Sequence, residues 1–275
     1  MPTFHHDGLN FNYLGHGEGT PFVFQHGLGG DVGQPAGVFH PVPGIRFLSL
    51  DCRAHGNTRP LGDEGKIGIE AFTDDLAAWL DHLSVTRAVV GGISMGAAVA
   101  IRFARRFPDR TAGLVLSRPA WLTGPTLRNV EIYDQVAQWL RDYGALKGLG
   151  CLMQSDLYAE ILRESPDNAA SLVKQIEAPE AEGRVVRLER IPRNAAAEGE
   201  EELGSIRVPT LILASRQDVV HPFEFGEALE QLIPGSVLRQ ITPKSVDGER
   251  HVGECGAAIA EFLREHFAPA GEPDS

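Results

Sequence analysis

The chain is expected to form an α/β fold: a mostly parallel sheet flanked by helices, with a helical segment inserted into it. Three observations carry that expectation. Short apolar runs alternate with amphipathic helical stretches through most of the 275 residues. The later runs are apolar throughout, as strands covered on both faces should be. One long segment, 118–204, breaks the rhythm and holds helical patterns only.

Taken in order, Leu9 to Leu14 alternates loosely between Asp7-Gly8 and a cluster of Gly15, Gly17 and Gly19, and reads as part of a hairpin-like pair of strands. Pro21–Gln25 is a short strand running into His26-Gly27-Leu28-Gly29-Gly30, and Ile45–Leu50 is another, ending at Asp51. Phe72, Leu76, Trp79, Leu80 and Leu83 share one helical face, with Asp74, Asp75 and Asp81 off it. Ala88–Val90 is a buried strand closed by Gly91-Gly92. The next helix turns Ala100, Phe103, Ala104 and Phe107 inward and Arg102, Arg105 and Arg106 outward, and Pro108 stops it. Leu114–Leu116 precedes the insertion. Thr210–Ala214 (strand), Phe223–Leu232 (helix), Val237–Ile241 (strand) and a closing helix marked by Ile259, Phe262, Leu263 and Phe267 follow it.

Inside the insertion, Ile132, Val136, Trp139, Leu140 and Tyr143 recur at helical spacing, which favours core packing for most of the aromatics Trp121, Tyr133, Trp139 and Tyr143. The acidic run 198–202 at its exit reads as a solvated hinge. The expected division is a core of 1–117 with 205–268, a helical lid of 118–204 and a flexible tail of 269–275.

Composition narrows the function classes. Hydrophobic residues at 43% and charged residues at 23% indicate a globular chain rather than a disordered one. With 37 acidic against 25 basic residues the net charge is −12, which disfavours nucleic acid and anionic membranes as partners. No apolar run is long enough to span a bilayer, and the first residues lack the pattern of a secretory signal. Cys52, Cys151 and Cys255 are odd in number and form no C-x-x-C pair, so neither a disulfide framework nor a cysteine zinc site is expected. A cytoplasmic protein is the simplest expectation. His5-His6-Asp7 reads as a strand edge rather than a metal site, and no phosphate-loop or dinucleotide fingerprint occurs, so no metal or organic cofactor is expected.

Gly92-Ile93-Ser94-Met95-Gly96 fits G-x-S-x-G. It follows a buried strand and opens a helix, the context in which a serine stands on a sharp turn at a helix N-terminus, where free N–H groups favour developing negative charge. A serine hydroxyl needs a base, and the base needs a carboxylate to orient it. In such a sheet the order along the chain is serine, acid, histidine. Asp218, after the strand Thr210–Ala214, is the candidate acid. His251, between the last strand and the last helix, is the candidate base, and His221 is assigned a structural role. The N–H groups of Met95 and Leu28 are the candidate oxyanion donors. Arg118 stands just past the carboxyl end of a strand, where a guanidinium could hold a substrate carboxylate by bidentate hydrogen bonds or simply form an ion pair.

Together, HGLGG (26–30), DCRAHGNT (51–58), GISMG (92–96), RQDVVHP (216–222) and RHVGE (250–254) make the chain resemble the lid-bearing, esterase/lactonase-like members of the α/β-hydrolase fold family. The resemblance implies Ser94 as nucleophile, Asp218 as acid, His251 as base, and Leu28 and Met95 as oxyanion donors. It departs from the family pattern at Ala54, where a glycine is usual, and at Arg250, since the family's histidine often follows a glycine. What it implies is a serine hydrolase acting on an ester, lactone or related acyl bond of a small molecule. Carbon–carbon bond hydrolysis or perhydrolysis with the same triad stays open, as does a small-molecule receptor with little turnover.

Overall fold

Eight strands build one sheet: β1 (Thr3–His6), β2 (Leu9–His16), β3 (Thr20–Gln25), β4 (Ile45–Leu50), β5 (Ala88–Ile93), β6 (Thr111–Ser117), β7 (Thr210–Ala214) and β8 (Ser236–Gln240). Their order is β1-β2-β4-β3-β5-β6-β7-β8 in this computed structural model, which describes residues 2–124 and 128–268. β1 pairs antiparallel with β2, and β2 antiparallel with β4; every later pairing is parallel. The hairpin between β1 and β2 turns on Asp7 and Gly8, both at positive φ (48° and 75°), the geometry that matches strand twist in a two-residue turn.

The helices are α1 (Gly33–Ala36), α2 (Ile69–His82), α3 (Met95–Arg106), α4 (Ile132–Gln154), α5 (Asp156–Glu164), α6 (Pro166–Glu177), α7 (Val186–Arg190), α8 (Glu200–Leu203), α9 (Phe223–Leu232) and α10 (Gly248–His266). α4 to α8 all lie between β6 and β7, and α4 is interrupted at Gly144 (φ 70°, ψ 178°).

The uniformly apolar strands are explained by two cores, one on each side of the sheet. Val23, Leu48, Val90, Leu114, Leu116 and Ile212 face α2, α3 and the insertion. Their neighbours Phe22, Phe24, Phe47, Val89, Val115 and Leu211 face Ile259, Phe262 and Leu263 of α10. Alternation of side chains along a strand sends successive residues to opposite faces, and here both faces are dry. Each fully buried large apolar side chain contributes roughly 1.5–3 kcal/mol.

Two charged features off the apolar faces are tied to distant arginines. Asp75, off the apolar stripe of α2, is buried and accepts two hydrogen bonds of 2.6 Å each from Arg53. The acidic run at the end of the insertion is largely exposed, yet Glu198 pairs with Arg102 at 2.8 Å and Glu202 pairs with Arg105, so two of the outward arginines of α3 tie the insertion's exit to the core. Tyr143 is 53% exposed, whereas Trp121 and Tyr133 are buried. The tail expected at 269–275 lies outside the described residues. No described helix is long and apolar enough to cross a membrane.

Candidate active site

β5 delivers Ser94 to the carboxyl edge of the sheet. Its backbone stands at φ 55°, ψ −108°, in the left-handed half of conformational space that costs a non-glycine residue about 1–3 kcal/mol. The Ser94 N–H donates to the Ser117 carbonyl at 2.9 Å, pinning the turn to the end of β6. The flanking glycines are required by close approach: a Cβ on Gly92 would lie 2.3 Å from the Gly96 backbone, and one on Gly96 would lie 2.4 Å from the Gln25 carbonyl oxygen. Met95 is the first residue of α3, so its N–H belongs to the turn for which the helix provides no acceptor.

The loop from β7 to α9 supplies the other two groups. The Asp218 Oδ1 accepts from the His221 backbone N–H at 3.1 Å and from His221 Nδ1 at 2.8 Å. His221 Nε2 lies 2.9 Å from Ser94 Oγ. Because Nδ1–H donates to the carboxylate, Nε2 is left to accept the serine hydroxyl proton. Asn168 of α6 steadies this loop, its side-chain oxygen accepting from the Val220 N–H at 2.9 Å, and Pro222 then starts α9.

Electrostatics suit the arrangement. Burial would raise the Asp218 carboxyl, but the facing His221 and Arg118 charges outweigh it and hold the group well below the usual carboxylate range. Burial lowers the His221 imidazole below its ordinary value, helped by Arg118 and opposed by Asp218. At neutral pH the ring is neutral and the carboxylate ionised.

Of the residues singled out in the sequence, the structure brings Ser94 and Asp218 together through His221, not His251. His251, the histidine expected as base, is held elsewhere. That histidine sits in the first turn of α10, which Asp247 caps by accepting from the Arg250 N–H at 2.9 Å. Its Nδ1 donates to the Thr242 carbonyl at 2.8 Å and its Nε2 faces Cys255 Sγ at 3.8 Å. The ring is thereby held by its own loop and helix, and the Ser94 hydroxyl has His221 as its imidazole partner. The chain order serine, acid, histidine fits His221 as well as His251; lying only three residues after the acid, His221 reads from sequence as structural. The signal available was that Asp218 and His221 share one short loop at a strand's carboxyl end.

Of the two readings of Arg118, the structure shows the ion pair. It is buried at φ 49° immediately after β6, and its Nε donates to Asp218 Oδ2 at 2.7 Å while Nη2 donates to Asp167 Oδ2 at 2.9 Å. Its guanidinium is committed to two protein carboxylates. Leu28 lies in the loop after β3. There the Gly30 N–H donates to the Gly27 carbonyl at 2.9 Å, and Gln34 Oε1 accepts from the Gly27 N–H at 2.7 Å. His26 shapes this loop: Nδ1 donates to the Gly27 carbonyl at 2.8 Å and Nε2 accepts from the Cys52 N–H at 3.0 Å.

Comparison with known proteins agrees with this architecture. Residues 20–245 match the family model described as alpha/beta hydrolase fold. The chain is 30% identical over 237 residues to the AB hydrolase superfamily protein YisY of Bacillus subtilis, covering 81% of this chain and 83% of that one. It is 25% identical over 250 residues to 3-oxoadipate enol-lactonase 2 of Acinetobacter baylyi, covering 86% and 89%. A thermophilic esterase from Thermogutta terrifontis superposes with a TM-score of 0.72 at 25% identity, over 96% of this chain and 97% of the esterase.

Proposed function

Because the chain belongs to the α/β-hydrolase fold family and is an enzyme of the hydrolase class, we propose that it cleaves an ester, lactone or related acyl bond of a small molecule through Ser94, His221 and Asp218. The observation that carries this reading is the unbroken line from Ser94 Oγ to His221 Nε2 at 2.9 Å and from His221 Nδ1 to Asp218 Oδ1 at 2.8 Å.

In this reading His221 Nε2 takes the Ser94 proton as Oγ attacks the acyl carbonyl. The carbonyl oxygen becomes an oxyanion, and the N–H groups of Leu28 and Met95 are assigned to receive it; losing one such donor costs about 2.7–4 kcal/mol of transition-state stabilisation. His221 returns the proton to the leaving oxygen, which departs and leaves the acyl group on Ser94. Water then gives a proton to His221, attacks the acyl carbon, and Ser94 leaves with the proton returned. Asp218 stays ionised throughout and holds the imidazole tautomer. The insertion is assigned the role of a lid. In support, α6 touches both sides of the site: Gln175 Nε2 donates to the Leu28 carbonyl at 3.0 Å, and Asp167 takes the far end of Arg118.

A fluorophosphonate tests the reading. Intact mass is expected to show one adduct on the wild-type protein and none on Ser94→Ala, together with loss of activity on a panel of short-chain esters and lactones. An adduct that persists in Ser94→Ala, or its absence from the folded wild type, would overturn it.

A further inference from the structure

Arg118 is the buried cation through which the helical insertion meets the acid of the site. Asp218 divides its two oxygens: Oδ1 holds His221, and Oδ2 holds Arg118 through Nε at 2.7 Å and Nη2 at 2.6 Å. The same Nη2 reaches Asp167, the second residue of α6, at 2.9 Å. Asp167 is fixed in turn, accepting from the hydroxyls of Ser165 and Ser245 on its other oxygen. Side-chain exposure is 10% for Arg118, 11% for Asp167 and 3% for Asp218, so one guanidinium serves two carboxylates largely out of water. A carboxylate held on only one oxygen can rotate about its bond to the chain. Held on both, it presents Oδ1 to His221 in one orientation.

We propose that Arg118 is a positioning residue that locks the Asp218 carboxylate for His221 and makes that lock depend on α6 of the insertion being seated through Asp167. The inference deepens the hydrolase reading above and rests on it. It takes Arg118 away from substrate and gives it a part in closing the site. When α6 lifts, Arg118 loses one of its two anionic partners, and the pull it exerts on Asp218 and His221 changes with it.

The charges that face His221 and its acid come from several elements. They are Arg118 beyond β6, Asp167 on α6 and Lys244 beyond β8, with the buried phenol of Tyr133 on α4, pushed up to about 12 by burial and neutral; His251 on α10 faces Arg118, Lys244 and Asp167 of the same group. Among them Arg118 disfavours a proton on His221, and Asp167 and Asp218 favour it. The signs are therefore opposite for the two ends of the Arg118–Asp167 pair. Removing the Arg118 cation makes His221 easier to protonate, so reactivity fails at a higher pH as acid is added. Removing the Asp167 charge leaves Arg118 less neutralised, and reactivity survives to a lower pH.

The experiment is the second-order rate of fluorophosphonate labelling at Ser94 against pH, for wild type, Arg118→Gln, Arg118→Lys and Asp167→Asn, each with a thermal melt. Arg118→Gln is expected to label about 10²-fold more slowly. Its acidic limb is expected to move up by about one pH unit. Arg118→Lys keeps the limb in place and recovers part of the rate; Asp167→Asn moves the limb down. Limbs at the wild-type position in both Arg118→Gln and Asp167→Asn, with only the melting temperature lowered, would overturn the coupling and leave the hydrolase reading standing. Absence of labelling in wild type would overturn both. Should Arg118→Gln fail to fold, the direction of the Asp167→Asn limb decides alone.

Discussion

His221 and His251 both lie near the carboxyl edge of the same sheet and are comparably buried, at 9% and 5% exposure. Their hydrogen-bond partners differ. His221 stands on a loop between β7 and α9, its backbone N–H and its Nδ1 both anchored on Asp218 Oδ1, and its Nε2 is left for Ser94. His251 is wound into the first turn of α10, where its Nδ1 closes on the carbonyl of Thr242, nine residues earlier in the chain. A loop residue can aim its ring across a cleft; a helical residue must follow the direction its helix sets. Position beside a strand end therefore does not make a histidine a base. What makes one is a free ring nitrogen facing the nucleophile and a carboxylate behind the other nitrogen.

Replacing each histidine by a residue that cannot act as a base separates the two. His221→Ala is expected to lose about 10⁴-fold or more in turnover of an activated ester, as loss of a triad base does elsewhere. His251→Ala should leave turnover within about threefold while costing about 1–3 kcal/mol in chemical denaturation, because the Thr242 carbonyl loses its donor. The reverse pattern would return the base to His251.

Asp218→Asn comes next in size. It keeps the shape but offers His221 an amide, and about 10²–10⁴-fold in turnover is expected to go, with binding of substrate little changed. Equal losses in Asp218→Asn and His251→Ala would erase the distinction between the two loops.

The smallest effect is one of pH. His221 is depressed below the ordinary histidine value by burial, so the acidic limb of the rate profile should fall below about pH 6.5. The sign for stability is the same. A group whose folded pKa is lowered stabilises the fold above its unfolded pKa and gives that up as pH falls toward the folded value. For His221 that window opens at about pH 6.5 and extends downward; for Asp218 it opens in the ordinary carboxylate range and lies wholly on the acid side. A rate limb above pH 6.5 would mean that Asp218 dominates over burial at this site.

Much of the molecule was legible in the residues themselves. Apolar runs such as Phe22-Val23-Phe24 and Leu114-Val115-Leu116 had to be strands covered twice, because every second residue of a strand faces the opposite side and none of these tolerates water. The glycines around Ser94 announced a turn in which backbones nearly touch, and Ser94 and Asp218 were placed by their position at strand ends. Local pattern suffices for such features because their causes are local: side-chain period, glycine freedom, the free N–H groups of a helix's first turn.

Tertiary structure decided the rest. That Asp75 would be buried depended on Arg53 arriving from 22 residues away, and that Glu198 would be tied depended on Arg102, 96 residues away. That His221 would meet Ser94 depended on packing that brings together residues 127 apart in the chain. The partners of Arg118 are carboxylates 49 and 100 residues downstream. Charged and hydrogen-bonding side chains take their meaning from partners, and long-range partners are set by how the elements pack rather than by the residues beside them in sequence.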